Sequence, residues 1–480
     1  VRILGINDSS HDAAVSVIDN GEIVFAAHSE RYNKQKNTYA ISDDLIEEVM
    51  SDPPDLIAYF EKRPFKRARR FRHGGINGAY QNLYKKLHKY QWPKEVQVSH
   101  HYSHAAAGYF TSTFAEATVV VLDAIGEFET ATIWDASGNN IRKRESLRYP
   151  ISFGLFYSAF TDLVGLKPGF DEYVLMGMAA YGDPSRYAAE INKMFPKWNS
   201  QTQNFHHGVN WPHPIICEQD KYDIAAAVQL IYQNRLIDLM RYVRRDSPTQ
   251  NLVFMGGCAL NCSANTKLLD IWDEVWIMPN PGDAGSSLGA ALAIYGSHIE
   301  WRGPYLGHDI GGDFYPSEDI IDVLLRDKIV AVANGRAEFG PRALGNRSLL
   351  ADPRPADMKD RVNQVKKREP FRPFAPIIME DHVSEWFEID RPVPYMQFAV
   401  KARFPELMPA VVHHDGTSRI QTVNEYQHPG LYDVLSMWYH QTGMPVLLNT
   451  SLNVRDQPML NDELDALVWQ EMNPQVKLVT

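Results

Sequence analysis

The sequence predicts an α/β fold in two domains: a duplicated α/β domain over residues 1–300 and an α+β domain over residues 301–480. Three observations predict it. A strand, polar loop and strand pattern occurs twice in the first third of the chain. A stretch rich in Gly and Pro, without hydrophobic periodicity, runs from Ser297 to Tyr315 and separates the two patterns of elements. At 480 residues, 44% hydrophobic and 22% charged, the chain is long enough for two or three globular cores.

Taken in order, Arg2 to Ile6 and Ala14 to Ile18 read as strands joined by NDSSHDA, and Asp19-Asn20-Gly21 is a hairpin turn into Glu22 to Ala27. The second copy has Thr118 to Leu122 as a strand, AIGEFET as the loop, Ala131 to Trp134 as a strand and Asp135 to Gly138 as a turn. The repeat is one of pattern and resembles the duplicated core of the actin-like ATPases, whose two lobes close on a nucleotide. Leu252 to Met255 and Val275 to Met278 add strands, and Leu288 to Tyr295 is a helix rich in Ala and Gly. Past the boundary, Ser317 to Arg326 reads as a helix, and Lys328 to Ala333 and Val446 to Leu448 as strands.

Net charge is −11, which disfavours a general nucleic-acid binder. The charge is segregated, however: Glu61 to Glu95 holds eleven Lys or Arg against two acids, leaving about −20 elsewhere. Phe65, Phe71, Tyr80, Tyr84, Tyr90 and Trp92 interleave with those bases. Such a segment serves either as a solvated face or as a surface for phosphates and stacked bases. Cys217, Cys258 and Cys262 form no disulfide framework, and no segment reads as a signal peptide or membrane span. A cytoplasmic protein without a membrane partner is the expectation.

The chemistry begins at VQVSHHYSHAAAGYF. His100 and His104 stand four apart where a strand gives way to a helix, so both imidazoles share one face of its first turn. That spacing suits a divalent ion, and with 17 His in the chain it also suits an ordinary buried pair. Asp123 ends its strand where a carboxylate can face a cleft, and Asp283 stands at a helix start, as an N-cap or as a ligand. Gly256 and Gly257 allow close backbone approach to a phosphate or planar group. In the second domain, Arg336, Arg342 and Arg347 lie among glycines, followed by Lys366, Lys367, Arg368 and Arg372, then Ser418-Arg419, then Asn449, Ser451 and Asn453. Four such clusters alternating with Gly and Pro point to an anion pocket fit for a triphosphate.

Together GINDSSHDAA, HHYSHAAAGYF, VVVLDAIGEFET, GGCALNCSAN, NPGDAGSSLGAA, GRAEFGPRALGNRSLLADPR, KKREPFRPFAP and LNTSLN span nearly the whole chain. In these motifs and their order the chain resembles the nodulation-protein U and cephamycin/tobramycin O-carbamoyltransferase family. The resemblance implies an actin-like N-terminal domain, similar to the tRNA threonylcarbamoyl-transferase subunit, and a YrdC-like C-terminal domain. It implies that carbamoyl phosphate and ATP give carbamoyladenylate and pyrophosphate in the second domain, and that the carbamoyl group then passes to an acceptor hydroxyl in the first. By the same resemblance His100, His104, Asp123 and Asp283 hold a divalent metal (Fe2+, with Mg2+ or Mn2+ as substitutes), and His11 is the general base. Gly256, Gly257, Asn261, Arg342 and Arg347 border the nucleotide. Lys366, Arg372, Arg419, Asn449 and Ser451 hold carbamoyl phosphate.

Val174 stands where the family usually has Lys, and Ile125 and Phe128 enlarge the loop after Asp123. These departures bear on the acceptor, which the resemblance implies to be a sugar or antibiotic scaffold; if the basic segment docks it, hydroxymethylcytosine in a nucleotide or DNA is the expectation instead. Alternatives are tRNA threonylcarbamoylation and a non-catalytic nucleotide-binding protein; a homodimer is compatible with either.

Overall fold

The computed structural model of the protein describes residues 1–8, 11–62, 64, 94–312, 314–369 and 371–480. Of the basic, aromatic segment between Glu61 and Glu95, all but Glu61, Lys62, Pro64, Lys94 and Glu95 lies outside the described residues. The chain forms a mixed α/β structure in two compact units, Val1–Ser29 with Asn37–Trp301, and Glu30–Lys36 with Arg302–Thr480. A linear division at residue 300 misses the short excursion Glu30–Lys36, in which buried Arg31 donates to the Gly340 carbonyl at 2.9 Å and Lys34 pairs with Asp465.

The first unit holds two five-stranded sheets of one topology. In the first, β1 (Arg2–Asn7), β2 (Ala14–Asp19) and β3 (Glu22–His28) form an antiparallel meander, and β4 (Leu56–Phe60) and β5 (Lys94–Val98) extend it in parallel, giving the order β3-β2-β1-β4-β5. The second repeats this with β6 (Glu116–Gly126), β7 (Glu129–Ser137), β8 (Asn140–Arg148), β9 (Asn251–Met255) and β10 (Glu274–Trp276), in the order β10-β9-β6-β7-β8. Asn20 and Gly21, both at positive φ, make the tight β2–β3 turn that the Asp-Asn-Gly signal predicts. The central strand β6 is continuously buried from Ala117 to Leu122, as a strand covered on both faces must be.

Two helices exchange between these sheets. Helix α1 (His100–Thr111) follows β5 yet packs on β6, β7 and β9; α2 (Glu218–Arg245) is a long helix leading into β9; and α3 (Ser286–Tyr295) follows β10 yet packs on β1, β2 and β4. Small residues let α1, α3 and β1 meet backbone to backbone. A Cβ on Gly289 would lie 1.9 Å from the Ser103 carbonyl oxygen, and one on Gly5 would lie 1.9 Å from that of Ser287.

The second unit is built on a six-stranded mixed sheet. Its strands are β11 (Tyr305–Asp309), β12 (Ile329–Ala333), β13 (Arg336–Glu338), β14 (Arg347–Ala351), β15 (Ala375–Met379), β16 (Ala399–Lys401), β17 (Thr417–Arg419), β18 (Gln421–Val423), β19 (Val446–Ser451) and β20 (Leu478–Val479). The large sheet has the order β18-β15-β19-β14-β12-β20, and β11–β13 and β16–β17 are separate ribbons. Ile320 and Leu324 of α4 (Ser317–Asp327), with Leu431, Leu435 and Trp438 of a later helix (Pro429–Thr442), pack on Val330, Leu350, Ile377 and Leu447 of the sheet. All three cysteines are free, and among the described residues no helix is long and apolar enough to cross a membrane.

The α1–α3 contact generates a stability prediction. Gly289→Ala forces the Ser103 backbone away and should destabilise the protein by about 3 kcal/mol, at the upper end for overpacking. Gly282→Ala, where the new Cβ meets nothing within 4 Å, should change stability by less than about 0.5 kcal/mol. Urea midpoints of the two variants check this; equal midpoints would remove the steric account.

Candidate metal centre and anion site

The first turn of α1 carries His100 and His104, both buried. The end of β6 supplies Asp123, and the short turn Asp283–Gly285 before α3 supplies Asp283. One ligand atom from each of these four residues lies within 4.8 Å of the others. His100 Nε2 is 2.8 Å from Asp123 Oδ2 and 3.5 Å from Asp283 Oδ1; His104 Nε2 is 3.5 Å and 3.3 Å from the same two atoms. Neighbouring donors around a divalent ion with bonds of about 2.0–2.2 Å stand roughly 3–3.5 Å apart, so the spacing fits such an ion. His104 Nδ1 is buried with no hydrogen-bond partner among the described residues, and Nε2 faces the two carboxylates. Asp283 is not a helix cap: Gly285 is the N-cap of α3, and the Asp283 side chain is turned to the imidazoles instead.

Without a cation the two imidazoles hold protons. Burial alone would lower the His100 pKa, but Asp283, Asp123 and Glu61 outweigh it and push it up to about 10. Burial likewise opposes, and Asp123 and Asp283 raise, the pKa of His104. Asp123, whose own burial favours the neutral acid, is held well below the carboxylate range by the two imidazoles. Cation binding must therefore displace protons from the rings. His101, by contrast, is a structural neighbour: its Nδ1 contacts Thr132 Oγ1 at 2.9 Å, and burial beside His100 keeps it neutral.

His11 lies at the edge of this cluster, 3.1 Å from Asp12 Oδ2 through Nδ1 and 3.8 Å from Asp283 Oδ2 through Nε2. Burial lowers its pKa, while Asp12 and Asp283 raise it to about 10. With its ring 44% exposed, water screens part of that pull.

Gly256 and Gly257 adjoin the cluster for different reasons. Gly256 has φ +92°, and a Cβ there would lie 2.1 Å from the Leu122 carbonyl oxygen, so its demand comes from strand β6. A Cβ on Gly257 would stand 3.2 Å from Asp123 Oδ1, so glycine keeps that approach open. Asn261 is held by its neighbours: its amide exchanges two hydrogen bonds with Gln229 on α2, at 2.9 Å and 3.0 Å, and its Oδ1 also caps Ala264.

In the second unit the structure brings Lys366 and Ser451 together. The Lys366 ammonium, at the end of a helix (Met358–Lys366), donates to Ser451 Oγ at 2.9 Å, to the Ser451 carbonyl and to Asn453 Oδ1. It is buried with no carboxylate beside it among the described residues; burial, then Arg368, Arg372 and Lys36, hold its pKa well below the lysine range. A buried amine with cations around it is a candidate anion site. Asn449, two residues before Ser451, donates to the Ala343 carbonyl and to Gln421 Oε1, and its own Oδ1 has no partner among the described residues. Arg372 pairs with Glu369 at 3.4 Å, Arg419 ends β17, and Arg342 lies half-buried between β13 and β14.

Arg347 has another occupation. Fully buried, it donates six hydrogen bonds to backbone carbonyls of His308, Asn334, Gly335 (twice), Asn346 and Asn461. That makes it a cross-link between loops, and places both its terminal nitrogens on protein instead of a nucleotide. Sequence reasoning also missed Glu61, Gln229 and Gln421, whose partners are distant in the chain and whose surroundings carry no local signal.

Comparison with known proteins places this geometry. Residues 65–292 match the model of the carbamoyltransferase N-terminus, and residues 321–479 that of the carbamoyltransferase C-terminus. A protein of Synechocystis with no described function is 30% identical over 97% of this chain and 93% of its own length. Nodulation protein NolO of Bradyrhizobium diazoefficiens is 34% identical over 77% of this chain and 75% of its own. The 3'-hydroxymethylcephem-O-carbamoyltransferase of Amycolatopsis lactamdurans is 27% identical over 96% and 95%. With both family models matched in order and relatives aligned along most of their length, the chain belongs to the carbamoyltransferase family and is an enzyme.

Proposed function

We propose that this enzyme is an ATP-dependent O-carbamoyltransferase that works through carbamoyladenylate. The observation that carries the proposal is the convergence of His100, His104, Asp123 and Asp283 in the first unit, beside His11. The second unit adds the buried Lys366 among Arg368, Arg372 and Lys36. In this reading the first unit is actin-like, which its twice-used β3-β2-β1-β4-β5 order supports, and the second is YrdC-like.

In the second unit, water displaces phosphate from carbamoyl phosphate; a carbamate oxygen then attacks the α-phosphorus of ATP, and pyrophosphate leaves. Lys366, Arg372, Arg419, Asn449 and Ser451 bind and orient these anions, with Arg342 nearby. In the first unit the acceptor hydroxyl attacks the carbamoyl carbon, its proton goes to His11 and AMP leaves. His100, His104, Asp123 and Asp283 would hold a divalent cation, with Fe2+ our assignment, that would supply charge neutralisation at the adenylate phosphate. By taking up the charge of Asp283 and Asp123, the same occupancy would weaken the pull that holds His11 as imidazolium and leave Asp12 as its main carboxylate partner.

The relatives that carry O-carbamoyltransferase or nodulation names support a small-molecule hydroxyl as acceptor. The basic segment before Glu95 supports the second acceptor class, hydroxymethylcytosine in a nucleotide or DNA. Amino sugars, the mononucleotide and the DNA, offered in parallel with ATP and carbamoyl phosphate, separate the two by mass spectrometry of the added carbamoyl group. Turnover with bicarbonate and threonine in place of carbamoyl phosphate would instead indicate threonylcarbamoylation.

Half-reactions test the division of labour. Carbamoyl-phosphate-dependent exchange of pyrophosphate into ATP should fall about 100-fold in Lys366→Met, as expected for loss of a preorganised donor. His11→Ala should keep that exchange and lose acceptor carbamoylation; normal transfer by this variant removes the base assignment. The metal centre makes a pH prediction. A raised imidazole pKa contributes stability that is complete below 6.5 and is lost as pH rises through about 10. The urea midpoint of metal-free protein should therefore fall across that window, and flatten in His100→Asn. Cation affinity should rise over the same window, because binding requires the neutral ring. A midpoint independent of pH would contradict the imidazolium assignment.

A further inference from the structure

The two histidines of the metal centre are not equivalent, and the difference lies in what stands behind each ring. Glu61 follows β4 directly and is buried, only 1% exposed. Parallel pairing sets Phe60 opposite Val98, so Glu61 falls beside the first turn of α1. Its Oε2 lies 3.2 Å from His100 Nδ1, while Nε2 of the same ring faces Asp123 and Asp283. Phe60 packs against the ring at a centroid distance of 4.6 Å. His104 has no counterpart of Glu61: its Nδ1 is buried without a hydrogen-bond partner among the described residues.

An imidazole with a carboxylate at one nitrogen keeps its proton there and presents a lone pair at the other. We infer that Glu61 is a positioning residue that fixes the tautomer and ring plane of His100 and strengthens His100 as a ligand, making it the anchoring imidazole of the pair. The contact also adds a third buried carboxylate to the centre, alongside Asp123 and Asp283, which favours a divalent over a monovalent cation. Sterically the arrangement is tight on the opposite side too, where a Cβ on Gly126 would lie 2.3 Å from His100 Cδ2. The ring is thus held by a carboxylate at one end and by close packing across its faces.

The inference rests on the metal reading of the four ligands, and the test separates the two. Metal-stripped full-length protein is titrated with Co2+, following the visible d–d bands and the shift in melting temperature, for wild type, Glu61→Gln and Glu61→Ala. We expect Co2+ affinity to fall about 10–100-fold in Glu61→Ala, the usual effect of removing such a partner. Glu61→Gln, which keeps an acceptor oxygen without the charge, should fall between, with its metal-free melting temperature near that of wild type. His104→Ala should lose affinity whether or not Glu61 is present. Wild-type affinity and an unchanged band envelope in both Glu61 variants would overturn the positioning role while leaving the ligand set standing. No Co2+ uptake by wild type would overturn both.

Discussion

The centre of the first unit depends on one constraint: two carboxylates must stay buried within contact distance of each other. Asp123 ends β6 and Asp283 sits in the turn between β10 and α3, and left to themselves two buried carboxylates would repel. Two imidazoles between them remove that difficulty, as imidazolium ions when the site holds only protons and as neutral donors when it holds a cation. The backbone contacts around them leave no room to relax. Glycine at position 289 lets α3 lie against the Ser103 carbonyl, and glycine at position 5 lets β1 lie against Ser287. Helix exchange between the sheets thus does chemical work: α1 carries the nitrogens from one half, and the turn before α3 carries Asp283 from the other.

The second unit solves the opposite problem. Lys366 is buried with three further cations acting on it, and its nearest partners are a hydroxyl, an amide oxygen and a carbonyl. Neutral acceptors orient an ammonium without cancelling its charge, so the field there remains positive. A carboxylate in the place of Asn453 would satisfy Lys366 better and leave less for an incoming anion. Arg347 shows the contrast: backbone carbonyls take up the donors of both its terminal nitrogens.

Legibility in the sequence followed locality. His100 and His104 could be read because one helical turn brings them together, and the strand, hairpin and strand repeat because its turn residues are adjacent. Asp283 was ambiguous, since an acid before a helix is as good a cap as a ligand, and only the position of the N-cap at Gly285 separates the two. Glu61 carried no signal. It lies 39 residues from His100, inside a run that reads as a basic surface, and parallel strand register alone makes them neighbours. Arg347 misled for a related reason: glycines around an arginine mark an anion loop and a buried loop junction equally well. The excursion Glu30–Lys36 was invisible because no composition change accompanies a chain that leaves its unit and returns.

Charge accounting ties His11 to the metal centre more closely than position alone would. Asp283 faces His11 with Oδ2 and the two imidazoles of α1 with Oδ1, so one carboxylate is shared between the proposed base and the proposed ligand set. While its charge is uncompensated it helps Asp12 to hold a proton on His11, and an imidazolium cannot take a proton from an alcohol. A divalent ion bound by Asp283 would compete for that charge at much closer range than a ring 3.8 Å away. If His11 is the base, as proposed, its readiness to accept a proton would rise with occupancy of the centre. A single carboxylate with two oxygens pointed at two tasks is sufficient to couple them, with no movement of the backbone required.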